Sequence, residues 1–294
     1  MAPLPIRLLA VDIDGTLLNH EFKVSPEDAA AMRQAHAMGV EIVVATGRRH
    51  QFALHVVEQL GVDLCMISSN GAVTRSLAGE RFHRNLLPKE VCRQLCYAMD
   101  KFRGHMVVTF DKETKGCLVL EHLDEIGVSI RRWLEKNLEY IEFVVPIENA
   151  LVEDPIQAMF CGTLARMAEV QKTLEASGLL DRVTILRTEY PERDLSMVDI
   201  LNHGCTKGQA LQRWATHRGI PREQVMAIGD NYNDVEMLEY AGVPVIMGNA
   251  PEDLRARSLG NSGVGNGGWM ETRSNSENGV AAALEQVLFR NVLA

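Results

Sequence analysis

Apolar residues recur along the chain in two alternating rhythms, and their order predicts the architecture. "IRLLAVDI" is a continuous apolar run that ends at Asp12, and "VEIVVATG" and "LCMISSNGAV" are two more. Each predicts a buried strand. Between them, "SPEDAAAMRQAHAMG" and "RRHQFALHVVEQLG" predict helices. The first has Ser25 as N-cap, Pro26 at the opening position, acids in its first turn and Gly39 as a stop. Strand, helix, strand, helix, strand, with near-continuous Val and Ile runs, is the pattern of a parallel sheet covered on both faces.

The rhythm changes after about residue 84. A helix from "PKEVCRQLCYAMDKF" is followed by the short strands "HMVVTF", "GCLVLE" and "IEFVVP", with the helix "DEIGVSIRRWLEKN" between the last two. "IQAMFCGT", "ARMAEVQKTLEASG" and "VTILRTE" then read as strand, helix and strand. This stretch predicts an inserted α+β domain over residues 85–192. The first rhythm is expected to resume with the strand "SMVDILN", the helix "CTKGQALQRWATHRG" and the strand "VMAIGD". Helix "NDVEMLEYAG", strand "VPVIMG" and a closing helix "GVAAALEQVLFRN" complete it. The expectation is a doubly wound parallel α/β core, Rossmann-like, formed by residues 1–84 and 193–294 around the insert. Strand order is not readable from the pattern.

A length of 294 residues suits two domains, and 46% hydrophobic with 23% charged residues suits a folded soluble protein. The formal net charge is −9, and no basic tract is present. Non-specific nucleic-acid or membrane-surface binding is therefore not expected, although a local positive pocket is compatible with this charge. An anionic substrate would need a few placed cations or a metal ion. The cysteines at 65, 92, 96, 117, 161 and 205 lack CxxC or zinc-finger spacing and read as reduced thiols, which fits the cytosol. No apolar run approaches a membrane span, and "MAPLPIRLLAVDID" meets acid too early for a signal peptide. A soluble, cytoplasmic protein is expected.

Four short stretches end strands or open helices of the expected core: "DIDGT", "TGR", "TKG" and "GDNYND". In an open parallel sheet, ligands bind outside the carboxyl ends of the strands, so these stretches are expected to share one crevice. Asp12, Asp14, Asp230 and Asp234 offer hard oxygen ligands, which suit Mg²⁺. Lys207 adds a point charge, Thr46 a hydroxyl donor, and Gly15 and Gly47 backbone N–H groups that an anion can approach. Such a set suits the handling of a phosphoryl group. Buried Asp12 and Asp14 would then be balanced by Mg²⁺ and Lys207.

"DIDGTLLN", "TGR", "SSNGA", "TKG" and "GDNYND", in this order with an insert after the third strand, resemble the haloacid dehalogenase superfamily. More narrowly they resemble its Cof-type phosphatases, the type IIB branch with a large α/β cap. The resemblance runs from about residue 7 to residue 250, and "SNSENGVAAALE" resembles the family's C-terminal segment. It implies that Asp12 is a nucleophile that becomes an aspartyl-phosphate, and that Asp14 protonates the leaving alcohol and then activates water. It implies Mg²⁺ on the Asp12 carboxylate, the Asp14 backbone carbonyl and the Asp230 carboxylate. Thr46 and Lys207 would hold the transferring oxygens, with Asp234 behind Lys207. Gly47, Arg48, Asn70 and Asn233 would lie by the phosphoryl group or substrate. The cap would close over the core, exclude water and select the substrate.

Each residue also has a bland reading. Asp12 and Asp14 could cap a helix, but the apolar strand before them argues against it. Thr46 could merely end a strand, Lys207 could lie on the surface, and "NDVEML" reads as an N-cap segment; the combination is what points to chemistry. Arg49 and His50 are expected to be solvated. "GVGNGG" matches a dinucleotide fingerprint but has no strand before it and no helix directly after, so it reads as a loop within a long Gly/Ser/Asn-rich stretch, 258–279. Trp269 and Met270 in that stretch are unexplained, and the histidines show no metal spacing.

The expected activity is Mg²⁺-dependent hydrolysis of a small phosphate monoester, such as a sugar phosphate or a nucleotide-like cofactor. A phosphotransferase such as a phosphomutase, or a phosphatase for one sugar metabolite, is the rival within the superfamily. A non-catalytic sensor of a phosphometabolite is the rival from another class, and the intact acid pair argues against it.

Overall fold

The computed structural model describes residues 6–257 and 268–289. Along the chain its strands are β1 (Leu8–Val11), β2 (Glu41–Ala45), β3 (Cys65–Ser68), β4 (Val73–Ser76), β5 (Arg81–Arg84), β6 (Met106–Thr109), β7 (Leu118–Leu120), β8 (Ile141–Phe143), β9 (Gln157–Gly162), β10 (Val183–Tyr190), β11 (Leu195–Asn202), β12 (Val225–Gly229), β13 (Val243–Ile246) and β14 (Met270–Glu271). The helices are α1 (Pro26–Ala37), α2 (His50–Val57), α3 (Lys89–Ala98), α4 (Val128–Glu135), α5 (Leu164–Glu175), α6 (Lys207–His217), α7 (Val235–Tyr240), α8 (Glu252–Arg255) and α9 (Gly279–Leu284). The chain divides into two compact units, one formed by residues up to 83 with those from 206 on, the other by residues 84–205.

The first unit is a doubly wound α/β layer structure. Its sheet has the order β14-β13-β12-β1-β2-β3-β4-β5. From β14 to β3 the pairings are parallel, and β4 returns antiparallel on β3. Successive side chains of a strand point to opposite faces. Accordingly Leu9, Val11, Ile42, Val44, Met226 and Ile228 meet α1, α2 and α9 on one face, while Leu8, Ala10, Val43, Ala45, Val225 and Ala227 meet α6, α7 and α8 on the other. Full burial of each such Leu, Val or Ile contributes about 1.5–3 kcal/mol, which is why these runs contain no polar alternation. Ser25 caps α1 by accepting from the Asp28 amide at 3.0 Å. Asp28, buried, in turn accepts from the Ala281 amide at 2.8 Å and ties α1 to α9.

The expected single strand "LCMISSNGAV" breaks in two. Ser69 and Asn70 have φ of 49° and 53°, in the left-handed region, and Gly71 follows at 103°. Ser-Asn-Gly is turn chemistry, and the chain reverses there to form β4.

The second unit has an α+β arrangement with sheet order β10-β11-β9-β6-β7-β8, antiparallel except at β7–β8. Val91 and Leu95 of α3 and Met167, Val170 and Leu174 of α5 pack on one face with Phe160, Val198 and Ile200. The run "SMVDILN" does not resume the parallel core: as β11 it pairs antiparallel with β10 over eight residues, Leu195↔Tyr190 to Asn202↔Val183. Only Pro191–Asp194 separates the two strands, and Asp194 turns at φ 45°. A parallel return needs a crossover of about a dozen residues or more, so this link permits only a hairpin. Residues 193–205 therefore belong with the insert.

Trp269 and Met270 line the far edge of the first unit's sheet. Met270 pairs with Val245, and Trp269 is buried in the apolar cluster of Ile246 and Leu254. The "GVGNGG" stretch lies outside the described residues except for Gly268. All six cysteines are buried thiols. Among the described residues, no helix is long and apolar enough to cross a membrane.

Candidate active site

Register determines what the carboxyl end of the first unit's sheet carries. β1 pairs in parallel with β2 as Val11↔Val44 and with β12 as Val11↔Ile228. One residue beyond on β1, and two beyond on β2 and β12, the chain delivers Asp12, Thr46 and Asp230 to the same rim. The Asp12 amide still bonds the Ile228 carbonyl at 3.0 Å, and the Thr46 amide bonds that of Ile67 at 2.8 Å. Lys207 is the first residue of α6, whose N-cap Thr206 accepts from the Gln209 amide at 3.1 Å.

Lys207 is fully buried and its ammonium bridges two acids, donating to Asp12 Oδ1 at 2.6 Å and to Asp234 Oδ1 at 2.7 Å. Asp234 uses its other oxygen to accept from the amides of Asp230 and Asn231, at 3.0 and 3.1 Å. One Asp234 oxygen thus holds the loop after β12, and the other holds Lys207. Asp230 Oδ1 accepts from Thr16 at 3.2 Å. Thr16 escaped the sequence reading, although it stands in the same "DIDGT". Gly15 adopts φ +85°, and a Cβ there would lie 2.1 Å from Asp230 Oδ2, so only glycine lets this carboxylate reach its place.

Carboxylate oxygens of Asp12, Asp230 and Asp234 lie within 4.8 Å of one another, and all three residues are buried. Three carboxylates and one ammonium leave two negative charges, which a single divalent cation would balance. The donors are hard oxygens, the type Mg²⁺ takes. Because both Asp234 oxygens are engaged, Asp12 and Asp230 are the side chains with oxygens to offer. Without a cation, protons make up the deficit. Burial pushes the Asp12 carboxyl up to about 7 against the pull of Lys207, with Asp234 and Asp14 adding to the rise. Burial, then Asp12 and Asp234, push Asp230 well above the ordinary carboxylate range. For Lys207 burial works downward, but Asp12 and Asp234 outweigh it and hold the ammonium above the usual lysine range.

The Asp14 carboxylate stands apart from this group. Arg48 donates to it twice, Nε to Oδ2 at 2.7 Å and Nη2 to Oδ1 at 2.5 Å. The contact shown for Arg48, expected beside the substrate, is this grip on Asp14. Its own amide bonds Thr46 Oγ1 at 3.0 Å. Asn70, 1% exposed, accepts from Asn233 Nδ2 at 3.0 Å, and a Cβ on Gly47 would sit 3.2 Å from Asn70 Oδ1. Asn70 thus lies behind Gly47 and Asn233. Arg49, expected to be solvated, is buried with its guanidinium 5.3 Å from the Phe52 ring, one turn along its own helix.

Residues 9–284 match the model of a family described as haloacid dehalogenase-like hydrolase. Phosphatase YwpJ of Bacillus subtilis is 31% identical over 312 aligned residues, covering 96% of this chain and all of its own length. The HMP-PP phosphatase of Escherichia coli is 29% identical over 251 residues, covering 85% of this chain and 87% of its own. The solved structure of BT4131, described as a HAD subclass IIB sugar phosphatase, superposes with a TM-score of 0.73 at 23% identity. That match covers 95% of this chain and 98% of the other, and is a likeness of fold.

Proposed function

The chain belongs to the haloacid dehalogenase-like hydrolases, and from that premise we propose that it is a Mg²⁺-dependent phosphatase that hydrolyses a small phosphate monoester through an aspartyl-phosphate on Asp12. Its relatives named as phosphatases support the phosphomonoester hydrolase class. The observation that carries the reading is the buried Lys207 ammonium shared by Asp12 and Asp234 beside Asp230. Burying so many charges is costly, and a fold retains them only where they are paired or ligate a metal.

Asp12 would attack phosphorus through one of its two carboxylate oxygens. The ester P–O bond breaks, and the departing alkoxide takes a proton from Asp14. Water then attacks the phosphorus and gives its proton to Asp14, the bond to Asp12 breaks, and inorganic phosphate leaves. Lys207 and Thr46 would stabilise the charge on the transferring oxygens. Asp12, Asp230 and the Asp14 carbonyl would hold Mg²⁺, which when bound neutralises phosphoryl charge. To carry a proton, Asp14 must first be released by at least one Arg48 donor. A sugar phosphate or a nucleotide-like cofactor suits the reading; relatives carry the names sugar phosphatase and HMP-PP phosphatase.

Phosphate release over a panel of monoesters tests this, with isomerised product measured alongside. Turnover that needs Mg²⁺ is expected. Isomerised product would favour a phosphomutase, and stoichiometric binding without turnover would favour a sensor.

A further inference from the structure

Asp12 and Asp14 are carried not by a helix but by an irregular turn that leaves two of its carbonyls to partners far away in sequence. Within the turn, the Leu17 amide reaches back to the Asp12 carbonyl at 3.3 Å. The Thr16 and Leu18 amides reach that of Ile13 at 3.4 and 2.9 Å. The Gly15 carbonyl accepts from Asn249 Nδ2 at 2.9 Å, across 234 positions of chain. The Leu18 carbonyl accepts from Asn275 Nδ2 at 2.7 Å, across 257 positions.

The two asparagines are themselves linked, since the Asn275 amide donates to Asn249 Oδ1 at 2.8 Å. That bond, with the donation to Gly15, leaves only one sensible orientation for the Asn249 carboxamide. Asn275 is 5% exposed, and its Oδ1 is buried without a hydrogen-bond partner. Leaving an acceptor unsatisfied is unfavourable, so this side chain is held for its donor. The backbone behind the pair is closely packed. The Gly248 amide bonds the Arg273 carbonyl at 3.1 Å, and the Thr272 amide bonds that of Ile246 at 3.0 Å.

We infer that Asn249 and Asn275 form a bracket that positions the 12–18 turn, and with it Asp12 and Asp14, for phosphoryl transfer. The inference rests on the phosphatase reading for its kinetic consequence, but not for its structural one. Neither residue touches the reacting atoms; both are positioning residues. The acid pair, the Gly15–Asp230 approach and the Thr16 bond all lie between the two bracketed carbonyls and β1, so a slack turn would misplace them together. Reacting groups displaced by an ångström lose about 10²-fold in rate.

The test uses Asn249→Ala, at an exposed position that is safe for folding, and Asn275→Asp, an isostere without the donor. Thr272→Val serves as control. It removes the 2.7 Å bond from Thr272 Oγ1 to the Gly279 carbonyl in the same segment and leaves the turn untouched. Both asparagine variants are expected to lower kcat by about 10- to 100-fold with KM changed less than about threefold. Hydrogen exchange at the Leu17 and Leu18 amides should accelerate in both. Thr272→Val should leave these quantities at wild-type values. Unchanged exchange at Leu17 and Leu18 in both variants, or an equal fall of kcat in Thr272→Val, would overturn the bracket. An inactive wild type would end the phosphatase reading alone, and the exchange rates would still decide the bracket.

Discussion

Arg48 and Asp14 form a two-pronged ion pair, with guanidinium nitrogens 2.7 and 2.5 Å from the two carboxylate oxygens. Both side chains are partly exposed, at 24% and 32%, so the pair can open without disturbing the core. A fork of this kind fixes the plane of the carboxylate as well as its distance, which a lysine cannot do. Arg48→Ala is expected to lower kcat by about 10- to 100-fold, because the acid–base group loses its orientation. Arg48→Lys should recover only part of that. Steady-state kinetics on any accepted monoester measures both, and a full recovery by lysine would show that charge alone matters.

Asp12→Asn removes the nucleophile but keeps an oxygen for Lys207 to bond. Loss of turnover by about 10⁴-fold or more is expected, with an unchanged circular dichroism spectrum. Activity near wild type would exclude Asp12 as the phosphoryl acceptor.

Lys207→Met leaves Asp12, Asp230 and Asp234 buried with no cation. Removing one partner from a buried ion pair costs about 3–5 kcal/mol, and the loss should appear in denaturant melts at neutral pH. The sign with pH follows from the acids. The Lys207 ammonium lies above the ordinary lysine range when folded, so its contribution is complete at neutral pH. As pH falls, Asp12 and Asp230, both raised, take up protons and need the ammonium less. The gap between variant and wild type should therefore narrow toward about pH 5.

The same acids predict a linkage between pH and metal. Asp12 rises from 3.8 to about 7 on folding, and Asp230 rises too. A raised carboxyl contributes stability that is complete below its unfolded value and is lost as pH climbs through the folded one. In EDTA, these groups should lower the melting temperature progressively between about pH 4 and about pH 7. Mg²⁺ binds the ionised forms, so the stabilisation it gives should grow over the same window. EDTA should also silence turnover, and added Mg²⁺ should restore it. A Mg²⁺ shift of the melting temperature independent of pH would place the cation away from these carboxylates.

Much of the core was legible because its signals are local. Burial on both faces writes Leu8–Val11 and residues 42–45 as uniformly apolar runs, and acids at the end of such a run are conspicuous. What stayed hidden are contacts whose partners are distant or whose backbone is unusual. Nothing near Asn275 announces a bond to Leu18, and Arg48 reads the same whether it meets substrate or Asp14. "SMVDILN" was misplaced because a strand's composition does not name its neighbour; the four-residue link to β10 was the better clue. Ser69 in the left-handed region has no sequence signature of its own.

Gly15 and Gly39 allow the strain of a backbone to be separated from the crowding of a site. Both adopt φ +85°, where an alanine is disfavoured by about 1–2 kcal/mol. Around Gly39 no atom lies within 4 Å of an added Cβ, whereas at Gly15 that Cβ would sit 2.1 Å from Asp230 Oδ2 and 2.7 Å from its Cγ. Gly39→Ala should thus lose only the conformational part and remain fully active. Gly15→Ala must also push the Asp230 carboxylate aside, breaking its bond from Thr16 and moving it away from Asp12. A lower affinity for Mg²⁺ by calorimetry and a fall in kcat of at least about 10²-fold are expected for Gly15→Ala alone. If both variants lost similar stability while Gly15→Ala kept its turnover and its metal affinity, Asp230 would have no part in the chemistry.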